Sequence, residues 1–223
     1  MAVCRARAAA EGLPLWKSLA EQYGVRSANT LPVPLMNVLN GGAHADSGLS
    51  FQEFMLVPYG FTSFHEALRA GAETFEVLKG LLKAQGQVIA VGDEGGFAPH
   101  LAGAKAALDL LVLAIEKAGY TGKIGLALDC AANEFFDGKK TYTVDGTKYE
   151  ADALVNFYKD LVSSYPISSI EDPFAEDDWQ SFASFVQACP KLQVVGDDLF
   201  VTNVLRIEKG ITMHAANAVL IKL

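Results

Sequence analysis

Gly125-Leu126-Ala127-Leu128-Asp129, Ile167-Ser168-Ser169-Ile170-Glu171, Gln193-Val194-Val195-Gly196-Asp197 and Ala218-Val219-Leu220-Ile221-Lys222 are short apolar runs, and each ends in a charged residue. Helical stretches lie between them. This is the layout of consecutive parallel strands that each present a polar group at the C-terminal end, and in a (β/α) barrel those ends converge on one face. Three carboxylates gathered there would hold a hard divalent cation through oxygen. A lysine beside such a cation is a candidate base, because nearby positive charge and burial both lower its pKa. Each acid taken alone reads as the cap of the following helix. The ordered series is what points to a site. Asp197 is followed by Asp198; adjacent strand residues face opposite sides, and spacing alone does not choose between them.

Outward from these runs the organisation is βα alternation. Between the first and second lies a Gly/Lys/Thr turn region (137–148), then a helix near 150–164 that stops before Pro166. A helix carrying Trp179, Phe182 and Phe185 follows the second, and a helix starting near Thr202 follows the third. Such an order with apolar strands implies a parallel sheet covered by helices. Upstream, residues 31–39 and 51–57 are apolar and closely connected, which predicts an antiparallel pair. Ser63 and Glu66 form a capping box. After it, Phe64, Leu68, Gly71, Phe75, Leu78 and Leu82 keep a helical period until Gly86. A second helix is expected from about Ala102 to Lys117. Residues 1–30 read as a lead-in helix and linker to one domain over 1–223. The strands number two plus four, whereas a closed barrel needs eight. Either the sheet is open or the chain is part of something longer.

Composition narrows the classes. Hydrophobic residues make up 51% of the 223 positions, enough for a real core. Acidic residues outnumber basic ones 26 to 18 with no basic run, which argues against nucleic acid as a partner. No apolar run reaches membrane-spanning length, and no signal-peptide core follows Arg5 and Arg7. The three scattered cysteines (Cys4, Cys130 and Cys189) fit a reducing cytoplasm and lack metal-ligand spacing.

Three further motifs carry polar groups. In Gly92-Asp93-Glu94-Gly95-Gly96, glycines on both sides hold a carboxylate on an exposed loop, which suits a general acid or a plain turn. His44, after Asn40-Gly41-Gly42, is a ligand, a proton carrier or a loop histidine. Glu53, with Gln52 at the start of an apolar run, is either paired inside or placed at the strand mouth.

Together these segments resemble the enolase (phosphopyruvate hydratase) family. The residues that carry the likeness are Asn40-Gly41-Gly42-Ala43-His44-Ala45, Phe51-Gln52-Glu53-Phe54-Met55, Val91 to Pro99, Leu128-Asp129-Cys130-Ala131, Ser169-Ile170-Glu171-Asp172-Pro173, Gly196 to Asn203 and Leu220-Ile221-Lys222-Leu223, in the family's order. The resemblance implies an α/β fold. That fold would be a TIM-like barrel of ββαα then βα units, incomplete, with about six of the eight strands of a barrel. It implies a magnesium-dependent hydro-lyase of glycolysis that interconverts 2-phosphoglycerate and phosphoenolpyruvate, cytoplasmic, and a homodimer or larger. Asp129, Glu171 and Asp197 would be the Mg2+ ligands, and His44, Glu53, Glu171, Asp197 and Lys222 would line the substrate site. Lys222 would take the carbon-2 proton. Glu94, with Glu53, would assist departure of the carbon-3 hydroxyl, and His44 would contact the phosphate side. Removing a proton beside a carboxylate builds a second negative charge, which magnesium must offset. A base of pKa roughly 7–8 would suit neutral pH.

The family's smaller N-terminal domain with its serine loop, and its last two barrel strands with their substrate contacts, have no counterpart here. Ser47-Gly48 also stands where the family often has amidic residues. The chain alone is therefore expected to be inactive or nearly so. Two other readings stay open: a truncated relative serving as a binding module, and a superfamily enzyme acting on another carboxylate.

Overall fold

A computed structural model describes residues 1–25, 30–45, 47–92 and 94–222. It divides into two units, Met1–Pro32 and Val33–Leu223. The first holds α1 (Ala2–Glu11) and α2 (Leu15–Tyr23) where one lead-in helix was expected. The break has a local cause. Gly12 takes a left-handed φ of 65°, and Pro14 stands immediately ahead of α2. Glu11 joins the two helices by accepting from Arg7 Nε and Ser18 Oγ, both at 2.7 Å. The linker expected after them includes residues 26–29, which lie outside the described residues.

The second unit is a six-stranded sheet with helices on one face. β1 (Met36–Asn40) pairs antiparallel with β2 (Glu53–Val57), as their short connection predicts. Next come α3 (Phe64–Ala84) and α4 (Ala104–Lys117), which pack on each other. β3 (Gly125–Asp129) lies antiparallel to β2. The chain then forms a hairpin, β4 (Thr141–Val144) and β5 (Thr147–Glu150), where the sequence was read as a turn region. Asp145 and Gly146 supply its turn with φ values of 49° and 78°. After α5 (Ala151–Ser164) the order is β6 (Ile167–Glu171), α6 (Trp179–Ala188), β7 (Gln193–Gly196), α7 (Val204–Met213) and β8 (Ala218–Val219). The spatial order is β1-β2-β3-β6-β7-β8, parallel from β3 onward and not closed, consistent with an incomplete barrel.

Side-chain alternation sorts the sheet's two faces. Phe54, Leu56, Leu126, Leu128, Ile170 and Val194 join the helices in one continuous core with Leu78, Leu82, Leu111, Leu161 and Phe185. Phe51, Tyr158, Phe174, Phe182 and Phe185 form an aromatic centre in it, and the Tyr158 hydroxyl donates to Pro173 O at 2.9 Å. Burying each such side chain contributes about 1.5–3 kcal/mol. Among the described residues, the other face carries a small buried apolar group, Met55, Val57 and Ala127. Helix starts follow the expected chemistry. Ser63 Oγ accepts from Glu66 N at 3.2 Å, and Asn203 Oδ1 accepts from Leu205 N at 2.9 Å. On α3 the buried stripe runs through Ala67, Ala70, Gly71, Thr74, Leu78 and Leu82. Phe64 and Leu68, placed on that face by their period, are exposed. Gly71 leaves room for the Met36 side chain, which a Cβ there would strike.

Candidate active site

Register builds the site. Asn40 pairs with Glu53, Glu53 with Asp129, and Asp129 with Glu171, so four polar side chains stand in one row across four strands. Val195 pairs with Glu171, which puts Asp197 two residues further toward the mouth of the sheet. Asp129 and Glu171 are 8% and 7% exposed. The oxygens of Glu171, Asp172 and Asp197 lie within 4.8 Å of one another. Asp129 stands beside Glu171 but outside that close triplet. Its carboxylate accepts from Ala131 N at 3.0 Å and from Gln52 Nε2 at 3.1 Å.

The structure separates Asp197 from Asp198. Asp197 Oδ2 meets Lys222 Nζ at 2.6 Å, whereas Asp198 Oδ2 accepts from Asn133 Nδ2 at 3.1 Å, on the turn that follows β3. Lys222 is itself held by its backbone N–H, which donates to Thr202 Oγ1 at 3.0 Å.

A second cluster faces β2. His44 ends a short 3-10 turn, Gly42–His44, in the β1–β2 connection. Glu94 sits in a tight loop between Val91 and Phe97, closed by Gly92 N donating to Gly96 O at 2.8 Å. Phe97 anchors this loop by bridging Leu39 on β1 and stacking on Phe75 with ring centroids 4.4 Å apart. Asn40, fully buried, donates from Nδ2 to Gly96 O at 3.0 Å. The flanking glycines are required by that contact. A Cβ on Gly96 would sit 2.9 Å from Asn40 Oδ1 and from the backbone of β1, and one on Gly92 would strike Asn40 Nδ2. The result brings polar atoms of His44, Glu53 and Glu94 within 4.8 Å of one another. His44 Nδ1, buried without a hydrogen-bond partner among the described residues, points at Glu53 Oε1 from 3.6 Å. Asp93 of the same motif lies outside the described residues.

Electrostatics follow from crowding acids in a dry place. Burial first, then neighbouring carboxylates, pushes Glu171 up to about 9. The same two causes raise Asp129 to about 7. Glu53 is raised by burial and by Glu94, with Lys222 opposing. Lys222 is raised, chiefly by its hydrogen bond to Asp197, which is opposite to the lowering expected of a base. Its side chain is two-thirds exposed, so burial does little to push it down. All-oxygen donors suit a hard divalent cation; Glu171 and Asp197 offer oxygens within 4.8 Å of each other, and Asp129 stands beside Glu171 in the strand register. The seven residues singled out in the sequence fall into two groups, His44, Glu53 and Glu94 in one, and Asp129, Glu171, Asp197 and Lys222 in the other, with Glu53 and Asp129 paired between them. Asn40, Gln52 and Asp172 were not singled out; each carries its role through a tertiary contact.

Residues 28–223 match the family model described as the enolase C-terminal TIM barrel domain. The chain belongs to the enolase family. It is 52% identical to Enolase 1 of Entamoeba histolytica in an alignment that takes in all of this chain and 54% of that protein. The chain thus spans about half the length of its enolase relative. The ββαα opening and the βα units that follow are the barrel portion of the enolase fold. Among the described residues no enolase helix here is long and apolar enough to cross a membrane.

Proposed function

We propose that this chain is the barrel portion of a phosphopyruvate hydratase, in which Lys222, Glu94 and Glu53 move protons between 2-phosphoglycerate and phosphoenolpyruvate. The observation that carries the reading is the convergence of Lys222 and Asp197 at one side of the mouth with His44, Glu53 and Glu94 at the other. One amine and one pair of acids at the same mouth are what removal of a carbon-bound proton and loss of a hydroxyl need.

Magnesium bound by Asp129, Glu171 and Asp197 would supply positive charge beside the substrate carboxylate. Lys222 in its neutral form takes the proton from carbon 2. The electron pair left at carbon 2 forms the double bond to carbon 3, the carbon–oxygen bond at carbon 3 breaks with its electrons leaving on the oxygen, and a proton from Glu94 completes the water. Glu53 supports that step, because burial and the neighbouring Glu94 keep its proton on closer to neutrality. His44, held beside Glu53, reaches the phosphate side. The free Cys4, Cys130 and Cys189 suit the reducing cytoplasm in which this reading places the enzyme.

The chain by itself carries the acid, the base and one set of metal ligands but too few substrate clamps, and positioning accounts for much of a barrier. Purified alone with magnesium, it is expected to give little or no rise in the ultraviolet absorbance of phosphoenolpyruvate. Extended by the segments its longer relative has, it should give that rise and lose it in K222A. A vigorous K222A enzyme would refute the assignment of the base.

A further inference from the structure

We propose that Asp172 is a positioning residue that clamps the loop after β7 and so aims Asp197 at Glu171. The carboxylate of Asp172 is 3% exposed and directs both oxygens at backbone rather than into the site. Oδ1 accepts from Asp197 N at 3.1 Å, and Oδ2 accepts from Asp198 N at 2.7 Å. Leu199 N approaches Oδ1 at 3.5 Å. The backbone of Asp172 is fastened on both sides, its N–H donating to Val195 O at 3.0 Å and its C=O accepting from Ala132 N at 3.1 Å. It therefore ties the end of β6 to the ends of β3 and β7 at once.

Asp172 has an oxygen within 4.8 Å of Glu171 and Asp197, so proximity alone would make it a metal ligand. What marks it as a clamp is which amides its oxygens receive: those of Asp197 and its successor. Without the clamp, the amides of residues 197 and 198 lose their acceptors. The Asp197 carboxylate is then no longer held against Glu171 and Lys222. Outer partners of this kind set the orientation of a ligand and typically govern metal affinity by roughly 10- to 100-fold. The backbone carries a matching sign of constraint, because Asp172 adopts a φ of 40°, a left-handed value that non-glycine residues rarely hold.

This inference rests on the metal reading above, and its test separates the two. Asp172→Gly removes the carboxylate while suiting the left-handed backbone, and Asp172→Asn keeps shape and backbone tolerance but turns an N–H2 toward one of the amides. Hydrogen exchange of the Asp197 and Asp198 amides is read first, in the 223-residue chain without metal. Exchange faster by about tenfold or more in Asp172→Gly is expected. Should that variant fail to fold, Asp172→Asn is expected to expose at least one of the two amides. Asp197→Asn, which removes the ligand but not the clamp, should leave both protected. Magnesium affinity is then read by calorimetry and should fall roughly 10- to 100-fold in the Asp172 variants. Unchanged exchange at residues 197 and 198 would overturn the clamp, including the case where magnesium affinity still falls, since Asp172 would then be a ligand. A wild-type chain that does not bind magnesium would count against the metal site, while the exchange rates would still decide the clamp.

Discussion

Lys222 Nζ lies 2.6 Å from Asp197 Oδ2 at the open mouth of the sheet. The pair joins the last strand to the acidic row and sets the charge of the amine, because the carboxylate holds the ammonium's proton more tightly than water would. Since Lys222 is two-thirds exposed, the pair contributes at most about 1 kcal/mol to stability. K222M should therefore shift the urea midpoint little, while D197N should lower the Lys222 pKa in an NMR titration. A Lys222 pKa that D197N leaves in place would show that the ion pair does not control it.

The acidic row gives the metal-free chain a definite pH dependence. Glu171 rises from its ordinary 4.5 to about 9, and Asp129 from 3.8 to about 7. Between the ordinary and the raised values the folded state keeps protons that the unfolded chain has released. Stability therefore falls as pH rises through that window and levels off above it. Urea midpoints measured in chelator at pH 5, 7 and 9 should decline in that order, and E171Q should flatten the decline. A stability that rises over this range would contradict the burial of these groups.

Asn40 and Gly96 fit each other without spare room. A methyl on Gly96 would press on Asn40 Oδ1, Leu39 N and Val38 C, each 2.9 Å away, and backbone cannot give as a flexible side chain can. G96A should cost about 1–3 kcal/mol of stability by overpacking. Midpoints of urea unfolding check this, and a cost near zero would mean the Glu94 loop is not seated on β1 as described.

Asp145 caps a helix that lacks a capping side chain of its own. Gly103 precedes α4, and Ala104 N donates instead to Asp145 Oδ2 at 2.7 Å across from the hairpin turn. The Asp145 N–H also donates to Ser50 Oγ at 2.7 Å in the connection that carries His44. D145A is expected to cost about 1–2 kcal/mol, as loss of a helix cap does. D145N should recover part of this, and equal stability of D145A and the wild type in denaturant would remove the cap.

Much of this was legible in the residues, and the rest was hidden for identifiable reasons. The runs ending in Asp129 and Glu171 are strands β3 and β6 because apolar period and turn signals agree there. The hairpin at Thr141–Val144 and Thr147–Glu150 went unread although Asp145-Gly146 is a turn signal, because lysines and threonines diluted the alternation of buried Tyr142 and Val144. The row Asn40, Glu53, Asp129 and Glu171 needs strand register, which no single strand encodes. Asp197 and Asp198 were inseparable by spacing and are told apart by their partners, Lys222 and Asn133. Asp172 was invisible as a clamp because its partners lie 25 to 27 residues away in the chain.

Calorimetric titration of magnesium into the purified chain tests most directly whether the strand mouths form a cation site. Binding of one equivalent, lost in E171Q and D197N and kept in E66Q on the exposed start of α3, is the expected result. Absence of binding, or equal affinity in E171Q and the wild type, would contradict it.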